Sequence, residues 1–138
     1  MKTFYNKTHK RANWIKAHFD LLSVNMEDFV NCCPYPMSLM RSRKTPDDIV
    51  DWRHAGFIIS YALFLDTNIV ADFFNKNRVT IYKAFERLKN EIESPDFGQP
   101  ITSCINAVIW YSINRPTEPN RHFCKSQNVG KIAPKKVA

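Results

Sequence analysis

Glycine is scarce in this chain, with three in 138 residues. None of the three falls in a Walker or dinucleotide-binding pattern, which excludes phosphate-loop chemistry of those kinds. Long apolar runs are lacking as well. The longest, Ala55 to Leu65, is too short to span a bilayer. The opening MKTFYNKTHKR has no apolar core and does not read as a signal peptide. A cytoplasmic location is therefore expected, with the four cysteines as thiols. Paired metal-ligand spacing is missing too. Cys32 and Cys33 are adjacent, Cys104 and Cys124 are far apart, and His122 lies two residues before Cys124. No zinc module has that arrangement, so no metal and no cofactor are assigned. Asp47, Asp48 and Asp51 do cluster, with His54 about a turn beyond. Two of these aspartates are better explained as first-turn residues of a helix, so no catalytic residue is assigned and the protein is not expected to be an enzyme.

Hydrophobic residues make up 44% of the chain and aromatic residues 13%. That is a globular composition, and its length suits one domain with appended arms. Abundant phenylalanine with little glycine favours helices. The formal net charge is +7 and the isoelectric point about 9.4. Such a balance suggests an acidic partner, with nucleic acid ahead of an anionic membrane, although a merely basic globular protein has the same charge.

The stretch from Thr45 to Ile92 organises the rest. Thr45-Pro46-Asp47-Asp48 reads as a helix start, with Thr45 as cap and Pro46 at the first helical position. Ile49, Val50, Trp52, Phe57, Ile58, Tyr61, Ala62 and Leu65 follow at roughly helical spacing. Asp66 or Thr67 should cap a short second helix carrying Ile69, Val70, Phe73 and Phe74. Asn75-Lys76-Asn77 is the turn, and Asn77 the cap of a third helix. On that helix Ile81, Ala84, Phe85, Leu88 and Ile92 recur every three or four residues and face inward. Arg78, Val79, Tyr82, Lys83, Arg87 and Lys89 lie on the opposite face. A short helix, a tight turn and a basic-faced helix can place a helix N-terminus in a DNA major groove. A solvated face on an ordinary helical hairpin has the same pattern.

Residues 41–93 resemble the C-terminal DNA-binding domain of the bacterial replication initiator DnaA. Ser42-Arg43-Lys44 stands where that family has its basic loop, and Arg53-His54-Ala55-Gly56-Phe57 where it has its long-helix run. Ile69-Val70-Ala71-Asp72-Phe73 matches the short helix. Lys76-Asn77-Arg78-Val79-Thr80-Ile81 matches the signature Gly-Arg-Asp-His-Thr-Thr-Val. There the Asp is Asn77, the His is Arg78 and the first Thr is Val79, while Thr80 is kept. The resemblance implies the family's docking mode but not its DNA sequence. The family's ATPase domain has no counterpart here. A small version of this module on its own suggests, by analogy, a phage or other mobile element.

The fold expected is all-α: a helix-turn-helix domain of about five or six helices with a basic, extended C-terminal tail. Residues 1–40 should form N-terminal helices packed on the core, 41–93 the helix-turn-helix, 94–114 an additional helix and 115–138 the tail. In the first of these, Trp14, His18, Leu21 and Leu22 fit one helical stripe, and Asn25 and Asp28 a helix start. The basic N-terminal end reads either as an extra DNA-contacting arm or as the solvated start of a packing helix. The function expected is sequence-specific double-stranded DNA binding, in transcription regulation or replication control, without ATPase activity. Asn77, Arg78, Val79 and Thr80 would reach bases. Arg43, Lys44, Arg53, His54, Lys76, Lys83 and Arg87 would hold phosphates. The alternative is a module that binds a replication or transcription protein through the same basic face. A third reading, single-strand binding through Trp14, Tyr35 or Trp110, ranks below these, because their neighbours are apolar. The sequence leaves the oligomeric state open.

Overall fold

A computed structural model describes the backbone of residues 2–115 and the side chains of residues 10–96 and 98–115. The expected basic tail, apart from Arg115, lies outside the described residues. Among these residues the chain is entirely helical, with seven α-helices and one 3-10 turn. They are α1 (Lys2–His18), α2 (Met26–Cys32), α3 (Met37–Met40), α4 (Asp47–Phe64), α5 (Thr67–Phe74), α6 (Arg78–Glu93) and α7 (Pro100–Asn114), with the 3-10 turn at Pro95–Phe97.

The centre is α4, which packs against each of the other six helices. It is apolar on every side because it has neighbours on every side. Trp52, Ala55, Phe57, Ile58 and Ile59 are completely buried. Gly56 is where the packing is tightest. A Cβ there would lie 2.7 Å from ring carbons of both Phe29 and Phe74, so only glycine lets α2 and α5 approach this closely. The rings of Phe57 and Phe74 meet edge to face at 4.9 Å, and those of Phe29 and Phe74 at 6.2 Å.

The helix ends follow local chemistry. Asn25 and Asp28 form a reciprocal capping box on α2. Asp66 caps α5 through the Asn68 N–H at 2.8 Å. Asn75 ends α5 in the left-handed conformation, at φ 54°, with Lys76 N–H bonded to the Ala71 carbonyl. The start of α4 differs from expectation. Pro46 is the N-cap rather than the first helical residue, and its extended ψ of 142° leaves Thr45 outside the helix. Asp47 and Asp48 still occupy the first turn.

The N-terminal stripe also differs. Ala12, Ile15 and Phe19 point inward. The helix stops at His18, so Leu21 and Leu22 leave its register. Leu21 is buried in the following turn, while Leu22 is 95% exposed. Cys33 and Cys104 are buried thiols, whereas Cys32 is disulfide-bonded, against the all-thiol expectation.

Two buried carboxylates tie α7 to the bundle. Glu91, on α6, accepts the Ile101 and Thr102 N–H groups at 3.0 Å each and so caps α7 from a neighbouring helix. Asp28 accepts two bonds from Arg115, at 3.0 and 2.8 Å. Arg115 was expected to begin a basic, extended tail; instead its guanidinium fixes the end of α7 to α2. Among the described residues no helix is long and apolar enough to cross a membrane, and no cluster of His, Cys, Asp or Glu suits a metal ion.

Candidate nucleic-acid interface

The short α5, the three residues Asn75–Asn77 and the sixteen-residue α6 form the expected helix-turn-helix succession. Burial along α6 has the spacing read from the sequence: Ile81, Ala84, Phe85 and Leu88 face the core. Arg78, Val79, Tyr82 and Lys83 are exposed on the other side, Val79 at 61%.

At the first turn of α6 two of the four expected base-reading residues bond to each other. Asn77 Oδ1 accepts the Thr80 N–H at 3.0 Å and the Thr80 hydroxyl at 3.1 Å. The Asn77 carbonyl oxygen and the Thr80 hydroxyl proton are thus engaged in capping the helix. Arg78 and Val79 remain as the side chains directed to solvent there.

The basic loop before α4 is held against this turn. Arg41 Nε donates to the Phe73 carbonyl at 2.7 Å, and its guanidinium lies 5.2 Å from the Phe73 ring centroid. From the other side Lys76 Nζ donates to the Ser42 carbonyl, with a longer contact to that of Arg41 at 3.4 Å. Burial, helped by the charges of Arg53 and Arg43, lowers the Lys76 pKa. Lys76 is therefore a loop anchor rather than a phosphate contact. Arg43 and Lys44 are exposed on the loop it holds, one and two residues beyond the Ser42 carbonyl it binds.

Three more residues leave the expected phosphate set. Arg53 is 6% exposed, and its guanidinium donates to the Met40 and Leu39 carbonyls at 2.8 and 2.9 Å. It closes the C-terminal end of α3, where the Leu39 carbonyl also accepts the Ser42 N–H and hydroxyl. Arg87 pairs with the Asp51 carboxylate across α4 and α6, and its other amino group lies 3.2 Å from His54 Nδ1. Burial raises the Asp51 pKa, opposed by the hydrogen bond and charge of Arg87. Burial, with the charges of Arg87 and Arg53, pushes His54 down to about 4. His54 is thus a neutral acceptor at neutral pH and offers phosphates no charge. Lys83 stays exposed, as expected.

Of the residues expected at DNA, Arg78, Val79 and Lys83 of α6 and Arg43 and Lys44 of the pinned loop stay exposed. Two features escaped the sequence reading. Arg41 is an anchor, which its place in a basic run disguises. Trp14, read as part of an inward stripe, is half-buried and shares an open groove with Tyr82 and Lys83. Tyr35, in contrast, is only 6% exposed, which removes it as a stacking platform. No protein-family model, curated protein or solved structure matches this chain.

Proposed function

We propose that this protein binds double-stranded DNA, without catalysing a reaction, by presenting the first turn of α6 to the major groove. The observation that carries the reading is the double anchoring of the 41–44 loop on the α5–α6 turn by Arg41 and Lys76. It supports a contact in which Arg43 and Lys44 hold phosphates beside the groove that Arg78 and Val79 enter. Arg78 can make two bonds to a guanine, and Val79 can lie against a thymine methyl. Lys83, one turn further along α6, adds a phosphate contact. The resemblance of residues 41–93 to the DnaA C-terminal domain points the same way, toward transcription regulation or replication control.

The test is a gel shift on a random-sequence duplex pool, followed by selection of bound sequences. Three phosphate-holding cations imply a log–log salt slope of roughly −3. Binding that weakens with that slope and an enriched sequence motif are expected. No shift at micromolar protein and low salt would overturn the proposal.

A further inference from the structure

An open groove of about 1020 Å³ runs between α1 and α6. Its floor is apolar: the half-buried Trp14 and the exposed Val79 and Tyr82 offer its surface, and Ile15 and Phe85 are buried. Its walls are cationic on both sides. Lys10 and Arg11 come from α1, Lys83 and Lys89 from α6, against one carboxylate, Glu86. An apolar floor between two positive walls fits an occupant that is apolar on one face and acidic on its flanks.

Two classes of polyanion fit that charge, and the aromatic rings separate them. Single-stranded nucleic acid needs open ring faces on which bases stack. The Arg11 guanidinium lies 5.2 Å from the Tyr82 centroid and 4.8 Å from that of Phe85. The Trp14 ring is 4.7 Å from the His18 ring. The rings are thus already in contact with the protein's own cation and imidazole, and the groove carries a carboxylate, Glu86, that would repel a phosphate. An amphipathic helix needs only the apolar floor and the flanking charges. Its residues at i, i+3, i+4 and i+7 would lie on Trp14, Val79 and Tyr82, between acidic flanks.

We infer that the α1–α6 groove is a docking site for an acidic amphipathic helix of a partner protein. The inference does not rest on the DNA reading, but it uses the same exposed face of α6. Val79 and Lys83 serve both, so a docked helix and a duplex in the α6 mode exclude each other.

The probe is a fluorescent helical peptide of about two to four turns with leucine at i, i+3, i+4 and i+7 and glutamate elsewhere. A second peptide carries lysine in place of each glutamate. A third probe is a short oligothymidylate. Binding is read by anisotropy with the full chain and located by amide chemical shifts, without duplex DNA present. The acidic peptide should bind saturably in the micromolar range and shift the amides of α1 around Arg11–Ile15 and of α6 around Val79–Lys89. The double variant Lys83→Glu/Lys89→Glu, with both sites exposed, should bind the acidic peptide at least tenfold more weakly and gain affinity for the lysine peptide. Loss of folding cannot produce that reversal. The proposal is overturned if the two peptides bind the wild-type protein equally, if the double variant is unchanged, or if the shifts fall outside the groove. It is equally overturned if oligothymidylate shifts the groove amides and the acidic peptide does not. A failed gel shift on duplex DNA, by contrast, bears on the DNA reading alone.

Discussion

Arg41 Nε donates to the carbonyl oxygen of Phe73 at 2.7 Å, across a sequence separation of 32 residues. The bond joins the loop before α4 to the last turn of α5, so that loop cations and the start of α6 form one surface. In the proposed DNA contact, Arg41 organises this surface and does not itself hold a phosphate. Arg41→Leu is therefore expected to weaken duplex binding about fivefold, the order of one ordered-loop contribution of ~1 kcal/mol, and to leave the salt slope near the wild-type value. Arg43→Ala/Lys44→Ala should instead lower the slope by roughly one unit per lost contact. Salt titrations of the three proteins check this. Equal slope losses in both variants would make Arg41 a direct phosphate contact.

Much of this architecture was legible because it is local. The caps Asn25, Asp66 and Asn77, the turn at 75–77 and the inward stripe of α6 depend on neighbours within four residues. What was not legible depends on distant partners. Arg53, His54 and Arg87 carry the charge or polarity of phosphate contacts, and nothing near them in sequence reveals otherwise. Arg53 binds carbonyls at the end of α3, and Arg87 binds Asp51 and His54 across α4 and α6. Arg115 looked like the first residue of a tail, because its partner Asp28 is 87 positions away. The α1 stripe failed for a different reason. The helix ends at His18, so a periodicity carried on to Leu22 describes a helix that has already stopped.

His54 makes the stability pH-dependent. Its imidazole titrates near 6.5 in an unfolded chain and at about 4 in the folded one. Between these values the unfolded state binds more protons, so stability is full above pH 6.5 and falls as the pH drops toward 4. The loss reaches up to about 3 kcal/mol. Asp51 acts with the opposite sign: its raised pKa means the folded carboxyl takes a proton first on acidification, which offsets part of the loss. Urea unfolding at several pH values should show the decline in the wild-type protein and a much shallower one in His54→Gln. Parallel curves would place the dependence elsewhere.

Gly56 should tolerate no side chain. A methyl group there must displace the rings of Phe29 and Phe74, both completely buried. Alanine favours helix by roughly 1 kcal/mol over glycine, but overpacking of this kind costs about 1–3 kcal/mol. Gly56→Ala is expected to lower the melting temperature, against the trend of helix propensity. A raised melting temperature would mean that the two rings move aside.

The shared use of Val79 and Lys83 gives competition. Adding the acidic helical peptide should displace labelled duplex, with an apparent peptide affinity equal to its directly measured value. Simultaneous binding of both would separate the groove from the DNA surface.

The central claim is that the first turn of α6 reads bases. Arg78 is exposed there, beside a capped N-terminus, and contributes no core packing. The measurement is the affinity of wild-type protein and Arg78→Ala for a selected duplex and for a random one at the same salt concentration. A bidentate arginine–guanine contact is worth roughly 1–3 kcal/mol of discrimination. The account predicts that Arg78→Ala loses about five- to a hundredfold on the selected duplex and little on the random one, with its melting temperature unchanged. Equal factors on both duplexes, or no duplex binding by the wild-type protein, would contradict it.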